Sequence, residues 1–181
     1  MIYFTADEHY YHSNILMFRE GKESRKFASV DKMNRHMINQ HNAIVTHSDT
    51  VYHLGDFYLG KDYRQAENIL KQLNGVHILI LGNHDLLKPF DYVEMGFGSV
   101  HTSLELVQGN LAFINSKLGG IKYPYLIHDP AAAGVFVNQY FIHGHTHGLG
   151  LKLAKNTFCV SVELHDYAPV PINKIKFGDM Q

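Results

Sequence analysis

The chain has 181 residues, 45% of them hydrophobic, so it can bury a sizeable core and fits the usual length of one domain. We expect a single domain over residues 1–181. Sixteen basic and 17 acidic residues give a formal net charge of −1, which excludes a global attraction to nucleic acid or to an anionic membrane. Residues 1–6 lack the features of a signal peptide, and no apolar run approaches the roughly 20 residues that span a bilayer. Because Cys159 is the single cysteine, no intrachain disulfide can form, and we expect a soluble cytoplasmic protein without a membrane partner.

The first half of the chain alternates strand-like and helical segments. Helical spacing of apolar residues marks 30–45, with Ser29 as the predicted cap, and also marks 63–73. The segments with strand character are 1–6, 50–54 and 76–81. Strand, polar end, helix, strand is the repeating unit of an α/β protein with parallel strands.

After Pro89 the helical spacing largely disappears, and short β-rich segments follow one another. We predict strands near 99–107, 111–114, 123–127, 140–142 and 157–162. There are no repeats and no linker-like stretches, so no domain boundary is predicted.

Polar residues follow several predicted strands at the points where they end. In open α/β sheets, ligands bind beyond the carboxyl ends of the strands, where loops distant in sequence converge. The chain also has 14 histidines, and imidazole is the commonest protein ligand for transition metals. The candidates at strand ends are Asp7, His9, Asp56, Asn83, His84, Asp85, His128, His145 and His147.

Asp7 and His9 are separated by one residue, and on an extended backbone such residues point to the same side. Both can therefore bind one ion, and His145 and His147 repeat the spacing. The carboxylate of Asp56 has two oxygens that can bridge two ions. Taken singly, each motif also fits an ordinary turn carboxylate, helix cap or surface histidine.

The segment Gly82-Asn83-His84-Asp85 is less ordinary because it ends an apolar strand with an amide, an imidazole and a carboxylate. Asn83 can offer its carbonyl oxygen to a metal. His84 then points elsewhere, and Asp85 can accept a ring N–H and fix the tautomer. A simple Asn-His turn is the alternative.

The joint order of Asp-x-His, Gly-Asp, Gly-Asn-His-Asp, a single His and Gly-His-x-His resembles the calcineurin-like metallophosphoesterase family. The resemblance extends from Ile2 to about Pro171. The stretch 7–15, which includes His12 and Asn14, is similar to the first motif of a small phage and bacterial subgroup. The resemblance implies an α/β fold, a four-layer α-β-β-α sandwich with two mixed β-sheets.

The same resemblance implies two divalent metal ions, which the mixed ligands allow to be Mn, Fe, Zn, Co or Ni. The implied first set is Asp7, His9 and His147, the second is Asn83, His128 and His145, and Asp56 bridges them. A hydroxide that bridges the metals is the implied nucleophile for in-line attack on phosphorus. His84 and Asp85 are the predicted catalytic residues, and Asn83, His84 and His12 are the predicted substrate-binding residues.

These expectations describe a phosphoester hydrolase. A chain of this length leaves little room for a capping domain, so an open site favours a phosphodiester such as a cyclic nucleotide or another small diester. Phosphomonoesterase and nuclease are alternatives within the family, although the balanced charge does not indicate nucleic acid as a partner. A noncatalytic protein-binding scaffold is an alternative from a different class. The sequence does not predict the oligomeric state.

Overall fold

The structure is a computed structural model that describes residues 1–18, 25–106, 113–115, 120–134, 136, 139–147 and 155–177. The predicted strands 99–107 and 111–114 therefore lie partly outside the described residues, at 107 and at 111–112. No helix among the described residues is both long enough and apolar enough to cross a membrane.

The described residues form 11 strands, three α-helices and several short 3₁₀ helices. The strands are β1 (Ile2–Thr5), β2 (Thr50–His53), β3 (Val76–Ile80), β4 (Ser99–His101), β5 (Leu104–Glu105), β6 (Phe113–Asn115), β7 (Gly120–Lys122), β8 (Tyr125–Ile127), β9 (Phe141–His143), β10 (Thr157–Cys159) and β11 (Val170–Pro171). The α-helices are α1 (Val30–Ile44), α2 (Tyr63–Leu70) and α3 (Pro89–Met95). The 3₁₀ helices are Ser13–Met17, Pro130–Gly134, Val162–Leu164 and Ile172–Lys174.

Two mixed sheets organise the fold. In the first, the order is β11-β1-β2-β3-β4, with β1 to β4 parallel and β11 antiparallel to β1. In the second, the order is β10-β9-β8-β5, with β5 antiparallel to its parallel neighbours. Strands β6 and β7 form a separate antiparallel pair.

Helices cover one face of the first sheet. Helix α1 begins where the Ser29 hydroxyl accepts the N–H of Lys32 at 3.2 Å, which satisfies one of the free donors of the first turn. Its buried Met33 and Met37 belong to the same apolar cluster as Ile69 of α2. This cluster also contains Leu79 of β3 and Phe97, so both helices pack on the sheet.

A second apolar cluster joins the two sheets. Phe4 and Tyr52 are register partners on β1 and β2, and their ring centroids lie 5.7 Å apart. Both belong to one cluster with Leu126 of β8 and Ile142 of β9. The shared core fixes the position of one sheet relative to the other, and with it the relative position of their strand ends.

The predicted α/β class with two mixed sheets is confirmed, and the helices predicted at 30–45 and 63–73 are present as α1 and α2. Helix α3, which begins at Pro89, was not predicted, because helical spacing largely disappears after that residue. At the first helical position, proline lacks only an N–H that would have no partner within the helix, and its fixed φ suits the helix.

Candidate metal centre

The seven predicted ligands follow strands from both sheets. They are Asp7 and His9 after β1, Asp56 after β2, Asn83 after β3, His128 after β8, and His145 and His147 after β9. Parallel pairing brings these strand ends together within each sheet. A parallel bridge between Ala6 and Ser161 joins the edges of the two sheets next to Asp7.

Asp7, His9 and His147 form the first group of donors. All three side chains are buried, and one ligand atom from each lies within 4.8 Å of the others. Nε2 of His147 is 3.7 Å from Oδ1 of Asp7, and the rings of His9 and His147 stack with centroids 5.2 Å apart. These are the residues that the resemblance assigns to one metal.

Asn83, His128 and His145 form the second group. Oδ1 of Asn83 lies 2.9 Å from Nε2 of His128 and 3.0 Å from Nδ1 of His145. The two ring nitrogens are 3.1 Å apart. Nδ1 of His128 donates to the carbonyl of Leu54 at 2.8 Å, which leaves Nε2 facing the group.

Asp56 lies between the two groups. Its Oδ2 is 3.7 Å from Nε2 of His9 and 3.4 Å from Nε2 of His128. Asp7, Asp56 and His128 also bring ligand atoms within 4.8 Å of one another. Asp7 therefore reaches both groups, which the sequence analysis did not predict.

The backbone that carries the ligands is left-handed, so the extended geometry expected for Asp7-x-His9 and His145-x-His147 is wrong. Among the described non-glycine residues, eight have positive φ, and five of them are predicted ligands. These are Asp7 (φ 58°), His9 (φ 49°), Asp56 (φ 58°), His145 (φ 68°) and His147 (φ 47°). Such left-handed conformations cost about 1–3 kcal/mol each and cluster at functional sites. Part of the cost is offset by backbone hydrogen bonds of 2.9 Å from Asp7 to Gly55 and from His9 to Asp56.

Glycines allow the ligand loops to approach one another. A Cβ on Gly55, which has φ 91°, would collide with the imidazole of His128. A Cβ on Gly144 would lie 2.6 Å from Cβ of Ala6 and 2.9 Å from Oδ2 of Asp7. The space around the donors is therefore too small for a side chain at either position.

In the metal-free site, burial and the closeness of charged groups shift the pKa values of several ligands. Burial raises the pKa of Asp7, against the attraction of His147 and His128. Burial also opposes the charged forms of Asp56 and His128, but their mutual interaction outweighs it. The pKa of Asp56 is lowered to about 2, and the pKa of His128 is raised to about 9. Cation binding must displace the His128 proton, so affinity should rise with pH.

The donor set fits divalent transition metals. At most one proton can lie between the facing ring nitrogens of His128 and His145, whereas a cation satisfies both rings and the amide oxygen of Asn83. The donors are imidazole, carboxylate and amide groups, without thiolate. Cys159 is outside both groups, and its thiol contacts the hydroxyls of Thr146 and Ser161.

His84 lies at the exposed side of the site. Its ring centroid is 5.5 Å from that of His9, and its backbone N–H donates to Oδ1 of Asp56 at 2.8 Å. His12 is half-buried, and its ring centroid lies 5.4 Å from that of His9. Both predicted substrate-binding histidines are therefore neighbours of the first donor group.

The role predicted for Asp85 is corrected by the structure. Its carboxylate accepts the backbone N–H groups of Asp56, Phe57 and Gly82 at 2.7, 3.2 and 2.8 Å. Among the described residues, no hydrogen bond joins Asp85 to the ring of His84. The three backbone donors occupy the buried carboxylate, so Asp85 fixes the loops that carry Asp56 and Asn83 instead of orienting the imidazole.

Three polar residues that the sequence analysis missed support the ligands. Ser161 donates to Oδ2 of Asp7 at 2.6 Å, and Glu163 accepts Nδ1–H of His147 at 2.9 Å. The buried guanidinium of Arg25 contacts the backbone of Asp7 and the carboxylate of Glu163. These partners are distant in sequence and follow no motif, so spacing could not reveal them.

Glu8, which the sequence analysis left without a role, begins a buried chain of hydrogen bonds. Its Oε1 lies 2.5 Å from Nδ1 of His53, Nε2 of His53 lies 3.0 Å from Nδ1 of His77, and Nε2 of His77 lies 3.4 Å from the carbonyl of Leu73. The Leu73 carbonyl can only accept. The neutral chain therefore runs from a protonated Glu8 through both rings to that carbonyl. In agreement, burial raises the pKa of Glu8 to about 8 and lowers the pKa of His53 to about 3.

Comparison with known proteins identifies the family. No protein-family model matches the chain. The uncharacterized protein MJ1445 of Methanocaldococcus jannaschii is 31% identical over 182 residues, which cover 96% of this chain and 88% of the relative. The chain therefore belongs to the same family as MJ1445.

The same architecture occurs in a solved structure. The protein of unknown function AQ665 from Aquifex aeolicus matches with a TM-score of 0.70 and 25% identity over 94% of each chain. Neither relative's name specifies an activity or a ligand.

The protonated state of Glu8 predicts a pH dependence of stability. In metal-free protein, the folded state retains this proton up to a pKa of about 8, while the unfolded chain releases it near 4.5. The contribution of Glu8 to stability should therefore fall as pH rises between these values, and Glu8→Gln should remove that contribution. The difference in Tm between the wild type and Glu8→Gln should then change with pH in this range. Tm measured against pH with a chelator present tests this. The exposed Glu94→Gln variant should follow the wild type, and parallel wild-type and Glu8→Gln curves would contradict a neutral Glu8.

Proposed function

We propose that the chain is a dinuclear metal-dependent phosphoester hydrolase of the calcineurin-like metallophosphoesterase family, within its small phage and bacterial subgroup. One observation carries the proposal. Seven residues, selected by their order in the sequence, converge from five strand ends into two adjacent donor groups around Asp56. A set of unrelated turn residues would not be expected to converge in this way.

The four-layer sandwich is part of the proposal. It is supported by the apolar cluster shared between the two sheets and by the packing of α1 and α2 on the outer face of the first sheet. Ligand residues come from both sheets, so this arrangement gives the site its location at their common edge.

The proposed chemistry divides between the cations and the chain. Two bound divalent cations would neutralise a phosphoryl group and lower the pKa of water towards neutrality. Asn83 of the second group is exposed, and so is the next residue, His84, so both can meet the substrate. In this proposal the His84 imidazole contacts a phosphoryl oxygen or donates a proton to the leaving oxygen. His12 binds the substrate from the side of His9.

A small phosphodiester, such as a cyclic nucleotide, is the substrate class that we favour. The exposure of Asn83 and His84 leaves room for two esterified groups, and the net charge of −1 offers no general attraction to a long nucleic acid. To test this, metal-free protein is reloaded separately with Mn, Fe, Zn, Co or Ni. The hydrolysis of bis(p-nitrophenyl) phosphate, p-nitrophenyl phosphate, cyclic nucleotides and short oligonucleotides by each loaded sample is then measured. Fully loaded protein that hydrolyses none of them would favour the noncatalytic scaffold.

Replacement of the bridging carboxylate should remove metal. Asp56→Ala deletes the oxygen that lies between His9 and His128, so we expect substantial loss of bound metal and of hydrolysis. Elemental analysis of the purified variant measures this. The control is Asp31→Ala, an exposed aspartate in the first turn of α1. Normal metal content in folded Asp56→Ala would contradict the bridging role.

Replacement of His84 should separate turnover from metal binding. His84→Ala leaves both donor groups complete, so metal content should stay at the wild-type level while kcat falls roughly 10²–10⁴-fold. Elemental analysis and steady-state kinetics measure the two effects. The control is His47→Ala, because His47 is exposed in the loop before β2, at the opposite edge of the sheet. Unchanged kcat in a fully loaded His84→Ala variant would remove this residue from the mechanism.

A further inference from the structure

A buried arginine holds the strained turn that carries the first donor group. Arg25 is only 2% exposed, and its Nη2 and Nη1 donate to the carbonyls of Asp7 and Glu8 at 2.5 and 2.6 Å. These carbonyls belong to the segment that joins Asp7 (φ 58°) and His9 (φ 49°), both of which are left-handed. Two donors from one rigid guanidinium therefore fix the turn that would otherwise relax.

The same guanidinium holds a carboxylate that orients a predicted ligand. Nε and Nη2 of Arg25 donate to Oε1 of Glu163 at 2.9 and 2.6 Å. That oxygen also accepts Nδ1–H of His147 at 2.9 Å. Because a carboxylate accepts hydrogen bonds, the proton of a neutral His147 resides on Nδ1. The lone pair is then on Nε2, the ring nitrogen that lies 3.7 Å from Oδ1 of Asp7 and can ligate a cation.

Apart from its hydrogen bonds to oxygen, Arg25 contacts two thioether sulfurs, which are weak partners for a charge, and the ring of Tyr167, which attracts it by a cation–π interaction. Its Nη1 lies 3.7 and 3.9 Å from the sulfurs of Met33 and Met37, and its Cζ lies 5.8 Å from the ring centroid of Tyr167. Burial of a charge in such a setting is costly unless it is paired and hydrogen-bonded. An apolar residue would fill this space without that cost, so packing alone does not account for an arginine here.

We propose that Arg25 and Glu163 are positioning residues for the first cation, which they serve by fixing the Asp7 turn and the Nδ1–H tautomer of His147. This inference rests on the metal centre of the proposed function. Glu163 holds His147, which belongs to the first group alone. Among the described residues, no hydrogen bond joins Arg25 or Glu163 to the second group of Asn83, His128 and His145. The consequence is an asymmetric effect on the two cations.

The tautomer is tested without metal. Long-range ¹H–¹⁵N NMR spectra of metal-free protein at alkaline pH should show His147 protonated on Nδ1 in the wild type. Glu163→Ala should shift it towards the Nε2–H form, while Glu163→Gln, whose amide oxygen can still accept, should largely retain Nδ1–H. Retention of Nδ1–H in folded Glu163→Ala would overturn the proposal. This readout does not depend on hydrolysis, so it is independent of the proposed activity.

The cation effect is tested by calorimetric titration of metal-free protein with Mn²⁺. Glu163→Ala and Arg25→Lys should weaken one of the two binding events about 10–100-fold and leave the other near the wild-type value. Asn83→Ala should weaken the other event, and the exposed Glu94→Ala should weaken neither. Equal weakening of both events, or of neither, in folded Glu163→Ala would overturn the positioning role. If the positioning role is right and the proposed function is wrong, the two cations should bind asymmetrically as expected, but no phosphoester should be hydrolysed.

Discussion

The crowding of donor atoms at the common edge of the two sheets is the constraint on which the site depends. Nε2 of His128, Nδ1 of His145 and Oδ1 of Asn83 lie 2.9 to 3.1 Å apart, and no proton arrangement satisfies all three as well as one cation does. Asp56 places a carboxylate oxygen 3.4 Å from His128. Such a cluster is unfavourable unless the surrounding structure holds it in place, and several buried interactions serve that purpose.

The support comes from backbone and buried polar groups more than from the ligands themselves. Asp85 ties together the loops after β2 and β3 by accepting three backbone N–H groups. Arg25 fixes the carbonyls beside Asp7, and Glu163 joins Arg25 to His147. Left-handed conformations at five predicted ligands then direct donors from different loops towards one volume. The left-handed conformations and the crowded ligand atoms reduce stability at this edge but preorganise the site. The two apolar clusters stabilise the rest of the fold.

The sequence predicted the elements and ligands whose signal is local. An apolar strand that ends in Asp7-x-His9 can be read from neighbouring residues, and so can the spacing of α1. The pairing of Asp85 with backbone donors could not be predicted from neighbouring residues, because two of those donors belong to residues 56 and 57 on another loop. Arg25 and Glu163 are 138 residues apart in sequence, so only the fold brings them together. Helix α3 was missed because its seven residues are too few to show a clear helical spacing. Proline at its first position does not interrupt it.

The proposed function depends on two cations that occupy adjacent sites at this edge. Anomalous diffraction from crystals of the full chain grown with Mn²⁺ locates each ion without reference to any substrate. We expect two peaks, one bounded by Asp7, His9 and His147 and the other by Asn83, His128 and His145, with Asp56 near both. A site without peaks at saturating Mn²⁺, or peaks only outside these residues, would contradict it.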